Sequence, residues 1–224
     1  MVLLLKTQFK FILRMSQIIE DLKWRYATKK YDSSKKISES DLDILKNVLT
    51  LVPTSNGLQP FRFLIVENPE LREKLREKSY NQSQITDASH LVVMCAFKNI
   101  DSDFVENYLM LNSNYRNIPM ENLAGFRNHL HRTVVSKSEY EILEANSKQV
   151  YIALGHLLHA AAQLRIDASP MEGFEANAYD EILGLSEKNL EATVVCALGY
   201  RSEEDAYQFQ NKVRKSQEDL FEVI

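Results

Sequence analysis

The chain has 224 residues, 45% hydrophobic and 26% charged, with a formal net charge of -4. That length is enough for one sizeable core, and the composition is that of a globular rather than a disordered protein. The mildly acidic balance lacks the basic stripe that nucleic acid demands, so any anionic ligand must be held by local cations.

The first fourteen residues, MVLLLKTQFKFILR, form an apolar stretch broken by Lys6, Gln8 and Lys10 with no small-residue cleavage site after it. Residues 1–14 therefore read as an upstream extension and 15–224 as a single domain. No stretch reaches the roughly 18 to 20 apolar residues of a spanning helix. Ser16 is positioned to cap a helix carrying Ile18, Ile19 and Leu22 and ending near Arg25, and Ser38 with Asp41 to cap one carrying Leu42, Leu45, Val48 and Leu49. FRFLIVE from Phe61 is a strand, and Asn68-Pro69 opens a third helix. The unbroken apolar run His90 to Phe97 suits a central strand covered on both faces. From Asp103 to His131 the pattern indicates broken helices of an excursion. Glu139 to Arg165 is the clearest helix, studded with small residues, and a Pro170-containing loop follows it. A short helix from Ala178 ends at Gly184, Ala192 to Gly199 is a buried strand, and the charged tail finishes in apolar Leu220, Phe221, Val223 and Ile224. Cys95 and Cys196 each lie in an apolar run without CxxC pairing, as reduced thiols of a cytoplasmic protein do. The expected class is α+β, with a small mixed, mainly antiparallel sheet flanked by helices.

Neither G-x-G-x-x-G nor G-x-x-x-x-G-K-[ST] occurs, and with six glycines a backbone phosphate cradle is disfavoured. His129 with His131 and His156 with His159 lack further ligands at metal spacing, so no metal site is expected. Three segments are polar where core-building sequence would not be: Trp24-Arg25-Tyr26-Ala27-Thr28-Lys29-Lys30-Tyr31, Pro53-Thr54-Ser55-Asn56-Gly57-Leu58-Gln59-Pro60-Phe61, and Pro170-Met171-Glu172-Gly173-Phe174. Their order and spacing resemble the oxygen-insensitive nitroreductase and dihydropteridine reductase family of FMN enzymes. So do Asn81 with Asp87-Ala88-Ser89-His90, Lys148-Gln149-Val150-Tyr151, and Lys212-x-Arg214.

The resemblance implies a nitroreductase-like fold, a homodimer with the long central helix at its interface, and a C-terminal tail extending onto the partner. It implies that Arg25, Lys212 and Arg214 hold the FMN phosphate, as Arg forks and Lys charges are suited to do. Lys29 would lie at the flavin N1/O2 edge. Pro53, Thr54, Ser55 and Gly57 would contact ribityl, phosphate and ring, some across the dimer interface. Asn81, with Gln84 nearby, would meet the pyrimidine edge, and the N–H groups of Glu172 and Gly173 would approach N5. Tyr80 and Phe126 are candidate aromatic walls for the acceptor. Departures from the family pattern are Tyr26-Ala27 where many members have His-Ser or Arg-Ser, Gln84 in place of a lysine, Gly57 for the usual Asn, and Leu58 for a small polar residue. They predict that FMN still binds, with a shifted potential or substrate preference.

The implied activity is ping-pong hydride transfer from NADH or NADPH to nitroaromatics, quinones or pterins, with no nucleic acid or membrane as partner. Dehydrogenase or dehalogenase chemistry on the same scaffold is one alternative. A non-catalytic FMN-binding or sensing module and a helical interaction protein are two from other classes.

Overall fold

The computed structural model describes residues 17–224. The expected extension over 1–14 and the Ser16 cap lie outside them. Residues 17–24 are helical (α1), and α2 (Glu39–Thr50) starts where Ser38 Oγ accepts the Asp41 N–H. A four-stranded sheet forms the centre, in the order β1 (Phe61–Val66), β2 (His90–Phe97), β4 (Leu190–Gly199), β3 (Asp167–Met171). Every neighbouring pair is antiparallel, which narrows the mixed sheet expected from sequence.

β2 sits between two strands and its alternate side chains enter different cores, which accounts for its unbroken apolar run. Val92, Met94 and Ala96 join α2 and the long helix α7 (Glu139–Gln163) on one face. Leu91, Val93 and Cys95 face α3 (Pro69–Glu77), α4 (Gln84–Asp87) and α8 (Ala176–Leu183) on the other. Each fully buried aliphatic side chain contributes about 1.5 to 3 kcal/mol, so these two layers fix the sheet. Both cysteines are free and buried, and burial pushes each thiol up to about 12.

One element departs from the sequence reading. The Pro170 segment is a strand, not a loop; β3 pairs only with β4, and at an edge the missing N–H of proline leaves no ladder bond broken. The excursion resolves into α5 (Ser102–Arg116), a 3₁₀ turn (Met120–Leu123), α6 (Ala124–Leu130) and a π-helical turn (His131–Val135). It has its own core of Val105, Leu109, Leu123 and Leu130 against Leu58 and Ile142. Among the described residues no helix is long and apolar enough to cross a membrane.

Candidate functional site

The turn after α1 brings cations together. Arg25 and Arg214 are close enough to repel, and burial first, then that repulsion, disfavour the charged guanidinium of Arg25. Lys212 is destabilised as an ammonium by burial and then by Arg25, Arg214 and Arg201. Its Nζ donates to the carbonyls of Leu22 (2.7 Å), Lys23 and Arg25, the free carbonyls at the C-terminal end of α1. Arg25 Nε is buried with no hydrogen-bond partner among the described residues. A buried charged donor left unpaired is costly, so this cluster suits an anion.

The aim of Arg25 is set by residues that sequence reasoning missed. Asp167, only 3% exposed, accepts from Arg201 Nη2 at 2.6 Å, Nε at 2.9 Å and N at 2.8 Å, and from Thr28 Oγ1 at 3.2 Å. The Arg201 guanidinium lies 4.3 Å from the Trp24 ring centroid and 4.5 Å from that of Tyr26, so it grips the residues on both sides of Arg25. Asp205 accepts from Tyr26 Oη at 2.9 Å and the Lys29 and Lys30 N–H groups at 2.8 and 3.1 Å. Burial alone would raise the Asp205 carboxyl, but those donors hold it below the usual carboxylate range. Burial and the Asp205 bond push the Tyr26 phenol well up. Lys29 is exposed beside this network, and Ala27 is half-buried.

A second group forms where the β3–α8 turn meets the α3–α4 turn. Gln82 Nε2 donates to the Gly173 carbonyl at 2.8 Å. A Cβ on Gly173 would lie 3.2 Å from Gln82 Nε2, tight enough to push that side chain aside by a few tenths of an ångström, and 3.7 Å from the Tyr80 ring. Tyr80, 71% exposed, and Asn81 both adopt left-handed φ, 52° and 55°. Tyr151 on α7 donates to Glu172 Oε1 at 2.5 Å, and burial with that bond pushes its phenol up to about 12. Gln84 is buried at the start of α4, away from the exposed face on which Asn81 sits.

The Pro53–Gly57 loop is gathered elsewhere on α7. The Ser55 N–H donates to Gln149 Oε1 at 2.8 Å, Thr54 Oγ1 accepts from the Gln59 N–H at 2.9 Å, and Tyr108 Oη donates to the Asn56 carbonyl at 2.7 Å. Gly57 has φ +73°. Phe126 packs edge-on against Tyr108 and stacks with His129 inside the excursion core, a packing role that accounts for it without a ligand. Among the described residues no hydrogen bond joins this loop to the Arg25 cluster.

An antiparallel sheet with a long helix on one face, and a buried Arg25 Nε that has no partner among the described residues and sits among further cations, defines an α+β protein with a cationic cluster at the turn after α1. The family model described as "Nitroreductase family" matches residues 22–200, and the chain belongs to the nitroreductase family. It is 35% identical over 218 residues to a Staphylococcus saprophyticus protein provisionally named an NAD(P)H nitroreductase, covering 92% of this chain and 96% of that one. A Bacillus subtilis protein with the same provisional name is 35% identical over 226 residues, covering 93% and 98%. A crystal structure from Exiguobacterium sibiricum, titled as a nitroreductase assigned provisionally and in complex with FMN, superposes with a TM-score of 0.80 over 92% of this chain and 97% of that one. At 19% identity, that likeness speaks to the fold.

Proposed function

We propose that this protein is an FMN-dependent NAD(P)H oxidoreductase, acting as a cytoplasmic homodimer over residues 15–224. The observation that carries the reading is the buried Arg25 Nε, without a partner among the described residues, beside Lys212 and Arg214. A phosphate dianion would supply the missing acceptor and relieve the mutual repulsion of the three cations. The FMN-bound Exiguobacterium neighbour and the NAD(P)H in the relatives' names support the choice of cofactor and reductant. Bound there, FMN would carry electrons from NADH or NADPH to an electron-poor acceptor such as a nitroaromatic, quinone or pterin.

The chain's own residues orient it. Arg25, Lys212 and Arg214 take the phosphate. Tyr26 and Ala27 flank it, and Lys29 offers a cation to the N1/O2 edge. Asn81 takes the pyrimidine edge; Gln84, being buried, acts beneath it by packing. With no side chain at Gly173, the Glu172 and Gly173 N–H groups approach N5, and the exposed Tyr80 ring forms one wall for the acceptor. In this reading Pro53, Thr54, Ser55 and Gly57 contact ribityl, phosphate and ring, some of them across the dimer interface. Two features support the dimer. α7 exposes Tyr140, Tyr151 and Ile152, and the terminal Leu220, Phe221, Val223 and Ile224 stand in solvent. An apolar groove of about 510 Å³ beside the free edge of β1, lined by Leu42, Leu45, Leu49, Phe61 and Ile65, matches such a tail in character. Two buried free thiols accord with the cytoplasm.

The test is the visible absorption spectrum of the purified protein before and after anaerobic NADPH. A two-band flavin spectrum that bleaches is expected. A protein that bleaches no flavin although it binds it is a binding module, and one that takes up no FMN refutes the reading.

A further inference from the structure

A cavity of about 300 Å³ opens between the Ser55–Pro60 loop, the π-helical turn and α7. Its chemistry is asymmetric. Asn146 is only 5% exposed, and its Nδ2 donates to the Phe97 carbonyl at 2.8 Å. Because only the amide nitrogen can donate to a carbonyl, that bond fixes the orientation of the group. The oxygen is left as a lone acceptor with no donor among the described residues, on a residue that lines the cavity. Leu58, Val134 and Ile142 supply apolar wall, while Lys137 on the exposed rim and the half-buried His129 bring donors. Glu141 is the carboxylate that feels Lys137, and it is occupied in the cap of α7 by the Ser138 hydroxyl and N–H. The π turn helps shape the wall that carries Thr133 and Val134, and such turns are frequent at functional sites.

We infer that this cavity binds a small aromatic carboxylate bearing a hydrogen-bond donor opposite its acid group. The ring lies against Leu58, Val134 and Ile142, the carboxylate faces Lys137 and His129, and the donor is received by Asn146 Oδ1. An acceptor oxygen discriminates by redox state. A nitro or quinone group carries only acceptors and leaves Asn146 unpaired, whereas the amine or phenol made by reducing it carries N–H or O–H. The site therefore favours the reduced form of an aromatic pair. Identifying that form as the enzyme's own product rests on the oxidoreductase reading above; the binding does not.

The test titrates the full-length protein, as purified and without nicotinamide, with 4-aminobenzoate and 4-nitrobenzoate by calorimetry, while its absorbance records FMN content. The expected result is about tenfold tighter binding of the amino compound. Lys137→Met should weaken both ligands by roughly twofold to fivefold while keeping the preference. Asn146→Ala should abolish the preference; if that variant does not fold, the surface variant Lys137→Met and the two ligands decide the matter. Equal affinity for the two ligands, absence of binding, or binding unchanged in Lys137→Met would overturn the inference. FMN content separates the two readings: flavin without aminobenzoate binding removes this inference alone, and aminobenzoate binding without any FMN uptake removes the oxidoreductase reading alone.

Discussion

Replacing Arg201 by Met tests whether one buried ion pair organises the Arg25 turn. Asp167 is 3% exposed and the Arg201 side chain 20%, so the substitution strands a carboxylate that keeps only the Arg201 N–H and Thr28 Oγ1 as donors. Breaking a buried pair from one side costs about 3 to 5 kcal/mol, and partial exposure of Arg201 puts this pair toward the lower end. Loss of two guanidinium–ring contacts, at 4.3 and 4.5 Å, adds about 0.5 to 1 kcal/mol each. The expected destabilisation is thus about 4 kcal/mol, or roughly 8 to 16 °C in Tm for a chain of this size. Urea denaturation of the wild type and Arg201→Met measures it. Adding Asp167→Asn should recover part of the loss, because the stranded charge is gone. A single variant within about 1 kcal/mol of wild type would refute the claim that this pair holds the Trp24–Tyr26 turn.

FMN affinity should be bell-shaped in pH. On the alkaline side the folded-state proton affinity of Lys212 is below the ordinary lysine value of 10.5, so the charge that phosphate needs is lost before pH reaches that value. Phosphate reverses the shift, so binding takes up protons there, as calorimetry in buffers of different ionisation enthalpy would reveal; Lys212→Met should erase the alkaline limb. On the acid side affinity should fall as the phosphate dianion takes up a proton and becomes a monoanion near about pH 6. Gly57→Ala should cost about 2 to 3 kcal/mol in chemical denaturation. Its φ of +73° strains alanine, and the new Cβ would sit 2.5 Å from Tyr108 Oη, displacing the bond to Asn56. Gly184→Ala, at φ +61° with nothing within 4 Å, isolates the conformational part and should cost about 1 kcal/mol. Deleting residues 217–224 should shift sedimentation from dimer toward monomer, and a tail-deleted protein that stays fully dimeric would exclude the groove beside β1 as the tail's seat.

What the sequence disclosed and what it hid follow from the range of the interactions. α2, α3 and β2 were legible because their signals are local: Ser38 and Asn68 cap their own helices, and seven consecutive apolar positions from Leu91 to Phe97 are covered on both faces. β3 was hidden because proline argues against a central strand, and only the sheet order reveals that β3 is an edge. The Arg25, Lys212 and Arg214 grouping was legible by resemblance, yet the residues that aim it were not. Asp167 and Arg201 are 34 positions apart, and Tyr26 and Asp205 are 179. A lone acid or base at such separation has no pattern to announce it. Lys212 also does more than expected, closing the C-terminal end of α1.

Backbone strain gives an independent indication of where function lies. Among the described residues seven non-glycine residues have positive φ. Asn117 and Asn189 occupy the left-handed caps of α5 and a 3₁₀ turn, where such a conformation is ordinary, and Arg165 follows the end of α7. The other four fall in two turns: Asn56 and Gln59 in the Pro53–Phe61 segment that the sequence marked as polar, and Tyr80 and Asn81 in the turn between α3 and α4. Each such residue costs of order 1 to 3 kcal/mol and persists only where its surroundings over-determine it. Here they do. Tyr108 holds the Asn56 carbonyl, Thr54 and the Thr50 carbonyl hold Gln59, and the Arg76 carbonyl accepts the Asn81 N–H. The anchors come from α2, α3 and α5, so the scaffold keeps both turns in shapes the free chain would leave. The Arg76 carbonyl that accepts the Asn81 N–H thereby fixes the turn that carries the exposed Tyr80 ring beside Gly173.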